Sequence, residues 1–316
     1  MSAPRAAVDV GSNSVRLLVV GADGRRLERE LTITRLAAGV DRTGHLDDAA
    51  LERTLATIRR YRDVWRAHGV TERVRIAATS AVRDASDRDR FFEGVRRLTG
   101  HAAEVLSGET EAALAFRGAT ARAELGPGPV ALVDVGGGST ELVVGEPDGR
   151  VAGSVSLQLG CVRLAERLLH TDPPSDGEVA AGRALVAREL DVAAAALAEQ
   201  GAALDQATTL IAVAGTATTL AALHAGLDEY EEERVHGTRL PTPALGELTE
   251  RLLALRATER AKLGPMQPGR EDVIHAGALV LSGVVEHASV GEVVVSEADG
   301  LDGLVASLDP TPARPG

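Results

Sequence analysis

Two short glycine-rich segments contain the residues of this sequence best suited to binding phosphate. They are residues 9–14 (DVGSNS) and residues 134–139 (DVGGGS). Backbone N–H groups in such loops, together with serine and asparagine side chains, can donate hydrogen bonds to phosphate oxygens without adding net charge. We therefore predict that phosphate is bound by these residues: Gly11, Ser12, Asn13, Ser14, Gly136, Gly137, Gly138 and Ser139. The alternative is that both segments are only tight turns.

Both segments belong to an internal repeat. Residues 8–25 (VDVGSNSVRLLVVGADGR) and 133–150 (VDVGGGSTELVVGEPDGR) are identical at ten of eighteen positions, at an offset of 125 residues. This repeat predicts two domains built from the same supersecondary unit. Strand-like residues follow the glycines in each copy, so each loop is expected at the tip of a β-hairpin. Rossmann and P-loop sites are excluded, because a helix follows the glycines in both.

One aspartate precedes each glycine loop, Asp9 in the first copy and Asp134 in the second. Each follows apolar residues at the end of a strand, and a buried carboxylate beside phosphate is costly unless a cation compensates its charge. We therefore expect Mg²⁺ to bridge these carboxylates and phosphate. The alternative is that each aspartate only caps the amides of its own loop. Glu141, at the position of Arg16 in the first copy, is a further candidate for binding metal or water.

Two other segments offer groups that bind anions. Arg83 follows a predicted strand at residues 74–78, and its guanidinium group can bind a phosphate chain through two hydrogen bonds. The alternative is that Arg83 forms a surface salt bridge. Arg16 is a weaker candidate of the same kind. Gly215 and Thr216 follow another predicted strand and open a helix, so that their amides can face an anion. For Thr216, capping of the helix is an equally good interpretation.

The intervening sequence alternates strand-like and helix-like segments, which predicts an α/β fold with a mostly parallel sheet and an antiparallel hairpin at the start of each domain. Asp47 is expected to open one helix and Ser86, with Asp89 three residues on, another. The segment GPGP at residues 126–129 is the expected linker. We therefore predict an N-terminal domain at 1–125, a C-terminal domain at 126–309 and a disordered tail at 310–316, with the last helix able to pack on the first domain.

Composition limits the partners. The net charge of −12 argues against nucleic acid and membrane surfaces, because both are polyanionic. Cys161 is the only cysteine and lies among apolar residues, so we expect a buried thiol and a cytoplasmic protein. No apolar stretch is long enough to span a bilayer. His68, His236 and His275 have no partner at the spacing of a metal site.

Six segments in order resemble the exopolyphosphatase/guanosine pentaphosphatase (Ppx/GppA) family, within the actin-like ATPase superfamily: residues 9–17, 78–85, 106–112, 134–141, 215–216 and 296–300. The resemblance runs from the N-terminus to about residue 305. It implies two actin-like (ribonuclease H-like) domains that bind phosphates in the cleft between them. It also implies that Glu141 belongs to the active site and that Glu111 is the general base. Spacing alone does not separate Glu111 from Glu109, since either could simply stabilise the first turn of a helix.

The resemblance implies hydrolysis of the terminal anhydride of inorganic polyphosphate, with guanosine pentaphosphate (pppGpp) as the alternative substrate and Mg²⁺ as the cofactor. Longer members of the family carry further C-terminal helical domains, so a preference for short polyphosphate is expected here. The family also suggests a homodimer. Competing hypotheses of other classes are an ATP-dependent kinase of the same superfamily and a non-catalytic sensor of polyphosphate or guanosine polyphosphates.

Overall fold

A computed structural model describes residues 3–309 of the chain. The chain forms two compact units. The first contains the residues up to Ser107 together with those from Gly300 onwards, and the second is Gly108–Asp299. The tail predicted at 310–316 lies outside the described residues. Among those that are described, no helix has the length and apolar character needed to cross a membrane.

The first unit is built on a five-stranded sheet. Its elements are β1 (Arg5–Val10), β2 (Ser14–Val20), β3 (Arg26–Ile33), α1 (Val40–Thr43), α2 (Asp48–Ala67), β4 (Val74–Ala78), α3 (Ser80–Asp84), α4 (Asp89–Thr99) and β5 (Ala103–Val105). The strand order is β3-β2-β1-β4-β5. Strands β1, β2 and β3 pair antiparallel, whereas β4 and β5 extend the sheet in parallel from β1.

The second unit is built on a six-stranded sheet. Its elements are α5 (Gly108–Thr120), β6 (Val130–Val135), β7 (Thr140–Gly145), β8 (Val151–Leu157), α6 (Cys161–Leu168), α7 (Asp176–Glu199), β9 (Thr209–Val213), α8 (Ala214–His224), α9 (Glu232–Val235), β10 (Arg239–Pro241), α10 (Thr242–Ala254), α11 (Ala257–Arg260), α12 (Ile274–Ala288) and β11 (Glu292–Val295). A last helix, α13 (Gly300–Ala306), belongs to the first unit and packs on β1 and β2.

The two sheets have the same topology. The order of the second sheet is β10-β11-β9-β6-β7-β8, so β8, β7, β6, β9 and β11 correspond to β3, β2, β1, β4 and β5. Strand β10 is an additional antiparallel edge strand. The fold class expected from the sequence is therefore confirmed: each repeat opens with an antiparallel hairpin, followed by parallel strands and helices.

The structural boundary between the units lies between Ser107 and Gly108, not near residue 125 where the composition changes. The reason is the apolar face of α5. Ala112, Ala115 and Phe116 are buried in one cluster with Val130 and Leu132 of β6, in the core of the second sheet. Covering the apolar side of that sheet stabilises the second unit, and the helix therefore groups with the strands that follow it.

Helix α2 begins as predicted, because the Asp47 side chain accepts a hydrogen bond from the Ala50 N–H at 2.9 Å. The prediction that a helix begins at Ser86 is wrong. Helix α4 begins only at Asp89, and the Ser86 hydroxyl donates instead to the carbonyl of Gly44 at 2.9 Å. A long-range partner has therefore replaced the local capping bond.

Candidate active site

The glycine loop of the second unit is the tip of the β6–β7 hairpin. The Gly136 N–H donates to the Ser139 carbonyl at 3.0 Å, and the Gly137 carbonyl accepts from the Val162 N–H at 2.9 Å. Gly160 lies so close that an added Cβ would be 2.4 Å from the Gly137 oxygen, so only glycine fits there. Within the described chain, the N–H groups of Gly137 and Gly138 donate to no other atom. This fixed loop can therefore offer consecutive donors to an anion.

The loop of the first unit is held in the same way. The Gly11 N–H donates to the Ser14 carbonyl at 2.9 Å, and the Ser12 carbonyl accepts from the Ala37 N–H at 2.8 Å. These contacts match those of the second loop at the same offset of 125 residues. The buried Ser12 hydroxyl, however, forms a 2.8 Å hydrogen bond with the Ser80 hydroxyl, which places that side chain against α3. The hairpin prediction is thus confirmed for both loops.

Next to the loops, the two sheets differ in one row of side chains. In the first sheet Asp9 pairs with Arg16 on the neighbouring strand, and Arg16 with Leu31 on the next. Both the Nε and the Nη2 of Arg16 donate to one carboxylate oxygen of Asp9, at 3.1 and 2.5 Å. The two side chains are only 15% and 13% exposed. The charge of Asp9 is therefore already neutralised, and the electrostatic reason for expecting a cation there no longer holds.

The corresponding row of the second sheet contains two carboxylates. Asp134 pairs with Glu141, and Glu141 with Ser156, at positions 125 residues after Asp9, Arg16 and Leu31. Asp134 and Glu141 are 8% and 1% exposed, and the Ser156 hydroxyl donates to Glu141 Oε1 at 2.8 Å. Directly paired residues project from the same face of a sheet, so the carboxylates of Asp134 and Glu141 lie side by side on that face. Such a set suits a hard cation.

Helix α5 begins beside this row. An added Cβ at Gly108 would lie 2.4 Å from the Cβ of Ser156, so the first residue of the helix packs directly on the partner of Glu141. One turn further, Glu111 is half-buried while Glu109 is exposed. Burial thus distinguishes two glutamates that spacing does not, and it favours Glu111 as the one directed away from solvent.

Arg83 lies at the end of α3 in the first unit. Its Nη1 donates to the carbonyl of Leu106 at 3.1 Å, and its Nε lies 4.0 Å from the Asp84 carboxylate. The guanidinium group is thereby fixed at the carboxyl end of β5, with 21% of the side chain exposed. The assignment of Arg83 to phosphate stays a prediction.

Gly215 and Thr216 lie in the first turn of α8, directly after β9, as predicted. Thr216 does not cap the helix. Its buried hydroxyl instead donates to the carbonyl of Val135 at 3.5 Å, which ties α8 to the strand that precedes the second glycine loop. Ala214, just before them, has a φ of 64°, a left-handed conformation that is rare for a residue with a side chain.

Sequence reasoning found no role for Arg270, which holds this turn. The side chain is 6% exposed, and its Nη1 donates to the Gly215 carbonyl and to Thr219 Oγ1, the latter at 2.9 Å. An added Cβ at Gly215 would collide with the guanidinium group, so a larger residue there would have to displace the Arg270 side chain. The contact joins residues 55 apart in the chain, which no local pattern could indicate. Ser156 was missed because identity between the two copies of the repeat ends before its position.

The cysteine and the three histidines named in the sequence analysis have contacts that are typical of structural residues. Burial raises the pKa of the Cys161 thiol to about 11. Burial also lowers the pKa of His275 to about 3, with the charge of Arg260 acting in the same direction. His68 lies 3.1 Å from Glu28, and His236 Nδ1 accepts from the N–H of Glu297. Among residues 3–309, no group of three or more histidine, cysteine, aspartate or glutamate side chains forms a metal site.

Two α/β units of common topology, each opening with a glycine-tipped hairpin, define a protein with a duplicated α/β fold. The model of the Ppx/GppA phosphatase family matches residues 20–310, and the chain belongs to that family.

Individual relatives agree with this assignment. The chain is 42% identical to exopolyphosphatase 2 of Mycobacterium tuberculosis, over 96% of this chain and 98% of that protein. Its structure is similar to that of an exopolyphosphatase-like protein, with a TM-score of 0.90, 36% identity and coverage of 96% and 98% of the two chains. It is also similar to the Aquifex aeolicus member of the Ppx/GppA family, with a TM-score of 0.79, 30% identity and coverage of 97% of each chain.

Proposed function

We propose that this protein is an exopolyphosphatase, which hydrolyses the terminal phosphoanhydride bond of inorganic polyphosphate and releases phosphate. The observation that carries the proposal is the oxygen-lined row of Asp134, Glu141 and Ser156 between a phosphate-type loop and the helix of Glu111. The similarity to exopolyphosphatase 2 supports polyphosphate as the substrate. Guanosine pentaphosphate ends in the same type of anhydride and is the alternative substrate.

Mg²⁺ is the cofactor that we propose, and the residues fit it. Asp134 and Glu141 supply two charged oxygen ligands, a number typical of Mg²⁺ sites that retain several waters. When bound, the ion would neutralise charge on the phosphate chain. Asp9 was predicted as a further ligand, but its ion pair with Arg16 makes this role unnecessary.

The protein's own groups divide the remaining work. In our proposal the N–H groups at Gly137 and Gly138 bind oxygens of the terminal phosphate and place its phosphorus in line with a water. The carboxylate of Glu111 accepts the proton of that water as the new P–O bond forms and the bridging P–O bond breaks. Arg83, the first glycine loop and the turn at Gly215 are proposed to bind further phosphates. A homodimer is expected and can be measured by light scattering.

Phosphate release tests the proposal. The full chain is incubated with Mg²⁺ and polyphosphate, pppGpp, or ATP with candidate acceptors. We expect release from polyphosphate, and a loss of about 10²- to 10⁴-fold in kcat for Glu111→Gln, the usual contribution of a general base. Glu109→Gln is the matched control, because that side chain is two residues away but exposed, and it should keep wild-type activity. Turnover of ATP without any release from polyphosphate would overturn the proposal.

A further inference from the structure

The two copies of the repeat also differ on the third strand of each unit's antiparallel set, β3 in the first and β8 in the second. Strand β8 places Ser156 where β3 places Leu31, opposite Glu141 and Arg16 respectively. In the first sheet the apolar Leu31 cannot bond to its neighbour. In the second sheet the Ser156 hydroxyl donates to Glu141 Oε1 at 2.8 Å. A hydroxyl therefore occurs in the copy whose row has two carboxylates.

A carboxylate in this setting needs a fixed orientation if it is to bind a cation. Glu141 is 1% exposed and lies directly opposite another carboxylate, Asp134, which repels it. The hydrogen bond from Ser156 occupies one of its oxygens on the side remote from Asp134. This bond therefore fixes the rotation of the Glu141 carboxylate relative to Asp134.

Ser156 is itself held in place. Gly108 packs on it so closely that an added Cβ would lie 2.4 Å from Ser156 Cβ and 2.7 Å from Ser156 Oγ. Because Gly108 begins the helix that carries Glu111, the same contact joins the helix of the proposed base to the strand that orients Glu141.

We infer that Ser156 is a positioning residue, which orients the Glu141 carboxylate for a divalent cation and is clamped by Gly108. The inference rests on the proposed function for the identity of the cation site, but it concerns a residue that is not itself a ligand. Partners of this kind typically change metal affinity 10- to 100-fold when they are removed. The effect should appear in cation affinity rather than in the maximal rate.

The experiment measures Mn²⁺ binding by electron paramagnetic resonance on the full-length protein, together with the Mg²⁺ dependence of phosphate release. Ser156→Ala is expected to weaken Mn²⁺ binding about tenfold and to recover nearly wild-type kcat at saturating Mg²⁺. The matched control is Ser154→Ala, the same change on the same face of β8, two residues away. It should leave Mn²⁺ binding unchanged.

Gly108→Ala is a second, independent variant. Its added methyl group would push the Ser156 hydroxyl away from Glu141, so Mn²⁺ binding should weaken although Ser156 is still present. Thermal unfolding of each variant verifies that the fold is retained.

The outcomes separate the two proposals. If Ser156→Ala binds Mn²⁺ like the wild type while Glu141→Gln does not bind it, Ser156 has no positioning role and the inference is wrong. The proposed function would be unaffected. If wild-type protein releases no phosphate from polyphosphate yet binds Mn²⁺ in a manner that depends on Ser156, the proposed function fails and the positioning role stands.

Discussion

The aspartates of the two repeats, Asp9 and Asp134, allow one substitution to be tested in two electrostatic settings. Each lies at the same position of the same hairpin, but Asp9 faces Arg16 and Asp134 faces Glu141. Replacement by asparagine keeps the size and one carbonyl oxygen and removes the negative charge. We expect the two variants to shift thermal stability in opposite directions when no divalent cation is present.

The magnitudes follow from the pairings. Directly opposed side chains on neighbouring strands lie about 5 Å apart, where two like charges at an effective dielectric constant of about 20 repel by roughly 3 kcal/mol. Asp134→Asn removes this repulsion and should stabilise the metal-free protein by up to about that amount. Asp9→Asn loses an ion pair with a 2.5 Å contact but keeps a hydrogen-bond acceptor. It should cost about 2 kcal/mol, less than the ~3–5 kcal/mol of losing a partner entirely.

The two variants should also differ in how strongly phosphate release depends on the Mg²⁺ concentration. Losing a charged ligand should weaken Mg²⁺ binding about 100-fold in Asp134→Asn, which corresponds to about 2.7 kcal/mol. Asp9→Asn should leave the Mg²⁺ requirement of phosphate release nearly unchanged, since its charge is already balanced by Arg16.

The assay is differential scanning fluorimetry in EDTA and in Mg²⁺, paired with phosphate release over a range of Mg²⁺ concentrations. Wild type provides the reference for both measurements. If both variants melt lower in EDTA by the same amount and require the same Mg²⁺ concentration, the two rows are electrostatically equivalent. The distinction between Arg16 and Glu141 would then be refuted.

Three further predictions concern the surroundings of the site. Arg270→Met removes hydrogen bonds to Gly215 and Thr219 and should cost about 2–4 kcal/mol, seen as a lower melting temperature, whereas an unchanged value would mean that Arg270 does not hold the turn. Burial lowers the pKa of His275 from 6.5 to about 3, so the unfolded chain binds a proton in that window that the folded protein excludes. Stability should therefore fall as pH drops from about 6.5 to 3, by up to about 4 kcal/mol, and His275→Leu should flatten this dependence in calorimetry. Because burial raises the pKa of Cys161 to about 11, iodoacetamide at pH 8 should modify it only after denaturation; rapid modification of the folded protein would contradict this.

Much of the fold could be predicted because the signals are local. The repeat placed a hairpin at the start of each unit, and the strand at residues 74–78 was expected with the same ends as β4. In each case β-branched runs, turn residues and glycines lie within the element itself.

What the sequence could not predict depends on residues distant in the chain. Helix α5 joins the second unit because Phe116 packs in the core of the second sheet, whereas composition suggested a boundary after the helix. The bond between Arg270 and Gly215 has no local signal at all. The bond between Ser156 and Glu141 could have been noticed, since Leu31 and Ser156 share the 125-residue offset, but identity between the copies had ended before that position.

The duplication also explains how a protein with a net charge of −12 can be suited to a polyanion. A glycine loop supplies neutral donors, so the charge that a phosphate encounters is set by the adjacent row. In the first unit the row of Asp9 and Arg16 sums to zero without any cofactor. In the second unit the row has two carboxylates, Asp134 and Glu141, whose oxygens are the ligands that a divalent cation prefers. We therefore propose that the residue opposite the aspartate, arginine or glutamate, determines whether a copy binds phosphate by itself or only together with a metal ion.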